Sequence, residues 1–379
     1  MSDKTAIEWA RADDGTPGAT WNPVRGCSKV SEGCRNCYAM GVAYRFSGDG
    51  QPYAGLARKV GGKPEWTGKV MLVEDALEQP FHWRKARRVF VNSMSDLFHP
   101  DVPDEFIARV WAVMSLAAWH TYQILTKRPE RMQALLSDRA FRRQVVDAAG
   151  AMIEGDFAWR AHPAPWRWPL SNIWLGVSVE DQAAADQRVP LLLQTPAAVR
   201  FVSAEPLLGP VDLTSLLCGD IFDGEGAPYY DALAGFSYWP SGDFGIHGPA
   251  LNWVIVGGES GPHARPMDPL WAKSLRDQCQ AAGVPYFFKQ WGEYRPGVVV
   301  DAPWHQDGQF VEMLGYGGCA IHGANLHYWE GGIVSARVGK KAAGRLLDGR
   351  EWNEYPGEPS DDDYRAEIER EGADYDRER

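Results

Sequence analysis

Six cysteines in 379 residues are too few to staple a chain of this length, and three of them lie too close together to frame an extracellular scaffold. A reducing, cytosolic setting is therefore expected. No apolar run approaches the roughly 18 residues a membrane-spanning helix needs, and Met1 to Trp9 carries acidic residues without a hydrophobic stretch, so neither a span nor a signal peptide is expected. There is no H-E-x-x-H and no G-x-S-x-G, which removes the simplest zinc-protease and serine-hydrolase readings. Gly257-Gly-Glu-Ser-Gly261 lacks both the G-x-G-x-x-G spacing and a following Lys-Ser/Thr, so it is no nucleotide triphosphate loop. No repeat of 20 to 50 residues recurs.

Charge of one sign is in excess, but unevenly. The formal net charge is -11, and from Glu351 to Arg379 twelve Asp and Glu face four Arg, a net of -8, which leaves -3 for the first 350 residues. The acidity is mostly a tail, and a local basic groove on the body is compatible with it.

Short apolar runs recur at Thr20–Val24, Val70–Val73, Val89–Asn92, Tyr122–Leu125, Ile173–Val177, Val199–Val202, Trp253–Val256 and Tyr286–Phe288. Amphipathic stretches separate several of them. In Asp104 to Ala118, for example, Phe106, Val110, Val113, Met114 and Ala117 fall at helical spacing. Apolar strands alternating with helices predict a parallel sheet covered on both faces, an α/β fold. Polar and charged residues gather just after these runs, where (β/α) barrels build their sites, so the expected architecture is a TIM-like barrel, closed or partial. It spans 1–297, with insertions near 138–171 and 216–249 read as loops that can act as lids. A β elaboration follows over 298–356, and an acidic tail over 357–379.

The densest chemistry lies in Trp21-Asn-Pro-Val-Arg-Gly-Cys-Ser-Lys-Val-Ser-Glu-Gly-Cys-Arg-Asn-Cys-Tyr-Ala39, where Cys27, Cys34 and Cys37 form C-x6-C-x2-C. No fourth cysteine lies nearby. Three thiolates on a turning loop can hold three corners of a [4Fe–4S] cube and leave one iron open. A structural zinc site would want a fourth ligand, and unligated thiols are the remaining alternative. Cys218, Cys279 and Cys319 lie singly and read as buried or incidental thiols.

This loop resembles that of the radical S-adenosylmethionine enzymes. Together with Leu125-Thr-Lys-Arg-Pro129, Ser203-Ala-Glu-Pro-Leu207 and Lys341-Ala-Ala-Gly-Arg-Leu-Leu-Asp-Gly-Arg350, it is more closely similar to a phage-associated three-cysteine-motif family of unknown function, itself radical-SAM-like. The resemblance runs from about Trp21 to Pro356. It implies that Cys27, Cys34 and Cys37 bind a [4Fe–4S] cluster, that S-adenosylmethionine chelates the open iron, and that an external electron donor starts hydrogen abstraction from a substrate. Two features depart from the superfamily pattern. Six residues rather than three separate the first two cysteines, and Gly257-Gly258-Glu259 follows a late strand, so the superfamily's amine contact is not transferred to Glu259.

Asn92, Ser93, Ser178, Glu180 and Glu205 are the expected contacts to S-adenosylmethionine. Asp96, Lys127, Arg128, Glu259 and Lys289 are substrate candidates, although single strand-end charges often serve as caps or ion pairs. Catalytic residues proper are not assigned. Asp181 or Ser178 is read as a helix cap. Trp159, Trp166 and Trp168 near Arg160, His162 and Arg167, and the basic run Arg337 to Arg345 with Arg350, make a nucleic-acid base or nucleotide the leading substrate class. A packed lid and a solvated helix end are the plainer readings of those two features. His82, His99 and His120 read as core or surface histidines. The alternative function is a zinc- or cluster-stabilised nucleic-acid-binding protein without catalysis.

Overall fold

The computed structural model describes residues 5–12, 15–154, 167–217, 229–241, 243–301, 309–313 and 326–357. Seven short apolar strands form one parallel sheet: β1 (Ala19–Trp21), β2 (Arg88–Val91), β3 (Thr121–Thr126), β4 (Ile173–Ser178), β5 (Val199–Ala204), β6 (Trp253–Gly257) and β7 (Tyr286–Gln290). Spatial order equals chain order from β1 to β7, and every pairing is parallel. A doubly wound sheet would reverse direction at a switch point; this one does not. The sheet is a curled, parallel half-barrel flanked by helices, a winding compatible with a partial TIM-like fold.

Aromatic contacts on the inner face show how far the sheet curls. In a flat sheet β2 and β5 would lie about 14 Å apart, three strand spacings. Trp9, however, touches Phe90 of β2, Phe201 of β5 and Trp253 of β6, with ring centroids 4.7, 6.2 and 6.3 Å away. Alternation along each strand sends Phe90, Trp174, Phe201, Ile255 and Phe287 into this concave core. Val91, Ile124, Leu175, Val202 and Val256 go to the larger core under the helices. Gly176 leaves room on the inside: a Cβ there would lie 2.4 Å from the Phe201 ring.

Residues 8–11 and 352–355 pack together against β2, β6 and β7. Phe288 donates its N–H to the Trp352 carbonyl (3.0 Å), Tyr355 packs on Phe287 and Trp253, and its hydroxyl donates to the Glu8 carbonyl (3.2 Å). The Arg88 guanidinium sits 4.4 Å from the Tyr355 ring centroid, and it donates to the Arg11 carbonyl.

Helices α1 (Tyr38–Arg45), α2 (Asp104–Leu116), α3 (Pro129–Ser137), α4 (Arg139–Glu154), α5 (Gln182–Gln194) and α6 (Pro269–Ala282) account for most of the connections. Asp181 caps α5 by accepting the Ala184 N–H at 2.9 Å, as its position suggested. Among the described residues no helix is long and apolar enough to cross a membrane.

Three expectations need correction. Val70–Val73 is no strand of the main sheet: Met71–Leu72 pairs antiparallel with Val24–Arg25, so the sheet has seven strands rather than eight. The 216–249 insertion is not loop alone. Leu216–Leu217, Tyr229–Asp231, Phe236–Tyr238 and Phe244–His247 form an antiparallel sheet there, stabilised by pairs such as the stacked Tyr229 and Tyr238 rings (5.6 Å). The late β elaboration starts earlier than expected, with Tyr294–Asp301 between Gln309–Met313 and Ile333–Arg337. Cys218, Cys319, the tail from 358 onward and the middle of the 138–171 insertion, with Trp159, Arg160, His162 and Trp166, lie outside the described residues.

His120 illustrates what the core demands of a polar group. It is 1% exposed, packed by Trp83, Trp119 and Tyr122, with Nδ1 accepting the Arg87 N–H and Nε2 lying 3.1 Å from the Pro80 carbonyl. Since Nδ1 accepts, the imidazole is neutral with its proton on Nε2, and a second proton would break the Arg87 bond. Burial pushes its pKa from 6.5 down to about 4. The unfolded chain therefore takes up the proton first: stability is full above about pH 6.5 and falls by up to about 3 kcal/mol as pH drops through 4. In urea melts His120→Gln is expected to flatten this slope; an unchanged slope would assign the acid sensitivity to carboxylates instead.

Candidate functional site

The cysteine loop leaves β1 and lies across the ends of β2, β3, β4 and β6. Gly26 starts it with a positive φ of 88°, where a Cβ would lie 2.3 Å from the Lys69 carbonyl oxygen. Three groups of strand-end charges hold the loop in place.

The first grips Cys27 and Ser28. Asp96, 6% exposed, accepts from the Phe98 N–H and Thr126 Oγ1 at one oxygen, and from the Lys127 N–H and Arg128 Nη1 (2.9 Å) at the other. Arg128 so fixed lies 3.9 Å from Cys27 Sγ and donates through Nη2 to the Ser28 carbonyl and hydroxyl. Burial works against the guanidinium charge, but Asp96 and Cys27 outweigh it and raise its pKa. The Ser28 hydroxyl also meets His99 Nε2 at 2.8 Å, while His99 Nδ1 accepts the Asp101 N–H.

The second lies beneath Ser31 and Gly33. Glu180, 2% exposed, is paired with Lys127 and Arg188 and accepts the Ser31 hydroxyl at 2.9 Å. Burial alone would raise its carboxyl; the two cations outweigh it and hold it below the usual carboxylate range. Gly33 rests directly on this carboxylate, where a Cβ would meet Glu180 Oε1 at 2.2 Å.

The third ties the last turn to β6. Asn36 Nδ2 donates to Glu259 Oε2 (3.0 Å) and to the His263 carbonyl (2.8 Å). Arg265 binds both Glu259 oxygens and donates to the Glu32 carbonyl. Against the effect of burial, Arg265 and Asn36 hold the Glu259 carboxyl low.

The three thiols are half-buried, and their charges interact. Burial and then Asp96 push Cys27 up to about 12, with Cys37 and Cys34 adding to the rise and Arg128 opposing it. Cys37 is raised by burial and by Cys34. A zinc ion would need sulfurs about 2.3 Å from one point. Among the described residues no three or more His, Cys, Asp or Glu groups are gathered to hold a metal ion.

Of the expected site residues, Asp96, Lys127, Arg128, Glu180 and Glu259 are thus brought to the loop. Asn92 follows β2 with φ of 60°, and its Oδ1 accepts the Val24 N–H, while Nδ2 has no partner among the described residues. Ser93 donates to Asn22, and its carbonyl accepts the Tyr38 hydroxyl. Ser178 closes β4, buried, its carbonyl accepting from Arg188. Glu205 and Lys289 pair with each other at 2.6 Å across the ends of β5 and β7, beside Gly257, and do not meet the loop.

Asn36, Arg188 and Arg265 carry much of this arrangement and were not foreseen; nothing in their local sequence marks them. Trp168 packs on Phe141 and donates to the Leu136 carbonyl. Arg337 and Arg345 of the late basic run donate to the carbonyls of Pro262 and Phe288, a structural use. His82 is exposed, and His99 and His120 are buried.

No curated protein and no solved structure matches this chain. Residues 4–356 match the family described as protein of unknown function, DUF5131, and the chain belongs to that family.

Proposed function

We propose that this protein is a radical S-adenosylmethionine-type enzyme whose Cys27, Cys34 and Cys37 hold a [4Fe–4S] cluster. The family description carries neither a chemistry nor a phage association, so the reading rests on the site. What supports it is three half-buried thiols on one loop at the strand ends of a curled parallel sheet, near enough for their charges to interact, with the loop pinned at Cys27–Ser28, Ser31–Gly33 and Asn36. Among the described residues they are not drawn together into a ready-made metal site, so cluster uptake would have to bring them to it. The donor types suit the group: three thiols on one turning loop can supply three corners of a cube, and among the described residues no fourth thiol lies with them.

When bound, such a cluster supplies one-electron reduction of the sulfonium of S-adenosylmethionine, with the electron coming from an external donor. The chain's own residues position the parts. Arg128, locked by Asp96, places a fixed positive charge beside Cys27 and favours its thiolate. Glu205 and Lys289, 19% and 15% exposed and paired only with each other among the described residues, are the strand-end charges free to exchange partners with an amino-acid zwitterion or a substrate. The Asn92 amide, held at a left-handed backbone with its Nδ2 unpaired, supplies a further donor at the same end of the sheet.

Anaerobic reconstitution tests the reading. The full chain is expected to take up about four iron and four sulfide and to show a broad absorbance near ~400 nm that bleaches on reduction. Cys27→Ser, Cys34→Ser and Cys37→Ser should each abolish it. Reduced protein with S-adenosylmethionine should release methionine and 5′-deoxyadenosine. Stoichiometric zinc in place of iron, or iron uptake indifferent to the three substitutions, would overturn the assignment.

A further inference from the structure

In a chain of net charge -11, residues 25–69 hold eight Lys and Arg against three Asp and Glu, a net of +5; the rest of the first 350 residues carries -8. The segment comprises the cysteine loop, α1 and a hairpin, Ala57–Val60 with Lys63–Trp66, closed by Gly61-Gly62. Register sorts the hairpin into two faces. Ala57 and Trp66 are opposite each other and pack with Ala39, Ala43 and Met94 in a small core that also includes Cys37, which fixes the hairpin beside the cysteine loop.

By alternation, Arg58 with Glu65 and Val60 with Lys63 occupy the other face. Glu65 there is neutralised by Lys29 of the cysteine loop, at 2.5 Å, so the face keeps a net positive charge. Arg45, Arg58, Lys59, Lys63 and Lys69 are all exposed and have no ion-pair partner among the described residues. A chain that pairs its cations so thoroughly at the strand ends leaves these open.

Apolar groups lie among them. Of eight large hydrophobic side chains exposed among the described residues, Val30, Tyr38, Phe46 and Val60 fall in this one segment. Lys59, on the same face as Ala57 and Trp66, lies over the Tyr44 ring at 5.5 Å and extends the positive charge round the hairpin edge towards α1. Open cations interleaved with accessible rings are what a nucleic-acid strand requires: charge for the phosphates and flat faces for the bases.

We propose that the hairpin 57–66 and the exposed end of α1 form a docking surface for a nucleic-acid strand, which it leads to the cysteine loop. The proposal rests on the reading above only for that last step; the docking itself needs no cluster. It places the polyanion contact in residues 45–66, not in the residues of the 138–171 insertion or the late basic run singled out from the sequence.

Fluorescence anisotropy with labelled single-stranded DNA, single-stranded RNA and duplex DNA of about 20 nucleotides tests it, at low salt and across a salt series. The double variant Arg58→Glu, Lys63→Glu is expected to weaken the best-bound of these about tenfold or more, and to reduce the log–log salt slope by roughly 2. Circular dichroism checks the fold. Should the reversal unfold the chain, the neutral pair Arg45→Gln, Lys63→Gln decides instead, with a smaller loss in the same direction.

No binding of any of the three polymers at low salt, or affinity unchanged by either variant, would overturn the proposal. So would poly-glutamate binding as tightly as the oligonucleotide, which would assign the surface to an acidic protein. Iron content measured on the same preparations separates the two readings. Iron retained without nucleic-acid binding sinks only the docking surface, and nucleic-acid binding without iron uptake sinks only the cluster.

Discussion

Glu180→Ala is expected to destabilise the fold by about 3–5 kcal/mol, among the largest effects of any single side-chain truncation in the site. The reason is what remains. Arg188, 4% exposed, would lose its carboxylate partner inside the protein, and Lys127 would keep a buried charge with nothing opposite it. Truncation also removes the acceptor of the Ser31 hydroxyl, so the middle of the cysteine loop is released at the same time. Glu180→Gln separates charge from shape: it can still accept from Ser31 but cannot balance two cations, and most of the loss should persist.

The sign with pH follows from the depressed carboxyl. Its contribution is fully present above the ordinary carboxylate value of 4.5 and disappears as pH falls through the lower folded value. Wild-type stability should therefore fall with acid over that window, and the fall should be shallower in both variants. Denaturant melts check both claims; a loss below about 1 kcal/mol would mean that the pairs are solvated and worth no more than surface salt bridges.

How much of this was readable beforehand depends on the range of the interactions concerned. The parallel strands announce themselves because each is buried on both faces and its apolar run is local; Arg88–Val91 and Val199–Ala204 are buried throughout. Val70–Val73 has the same look but is half-buried, and only its antiparallel partner Val24–Arg25 distinguishes it. The sheet at 216–247 is built from strands of two to four residues in a Gly-, Asp- and Tyr-rich stretch, where no alternation is long enough to register.

At the site, the residue types were legible and their partners were not. Cys27, Cys34 and Cys37 stand out by spacing, as do the charges after each strand. That Glu180 serves Ser31, 149 positions away, and Glu259 serves Asn36, 223 positions away, is decided by the curl of the sheet. Nor does any local signal distinguish a carboxylate waiting for a ligand from one already satisfied by the loop. Asp96, Glu180 and Glu259 are satisfied within the chain, whereas Glu205 has a single partner in Lys289.

Gly33→Ala tests whether the loop and the charge network are one unit. A methyl group there would have to share space with Glu180, whose Oε1, Cγ and Cδ lie 2.2, 2.5 and 2.6 Å from the site of the Cβ. Either the loop lifts, carrying Cys34 away from Cys27 and Cys37, or the carboxylate withdraws from Lys127 and Arg188. Both routes cost stability, about 1–3 kcal/mol for the overpacking, with more if an ion pair breaks. The lifted loop would also lower iron uptake in reconstitution, a readout that a merely crowded core would not move. A double-mutant cycle with Glu180→Ala isolates the contact. Once the carboxylate is gone the added methyl has room, so Gly33→Ala should cost far less in that background, with a coupling of about 1–3 kcal/mol. Strict additivity of the two substitutions would show that Gly33 and Glu180 act independently, and that the cysteine loop is positioned by Asp96–Arg128 and Glu259–Arg265 alone.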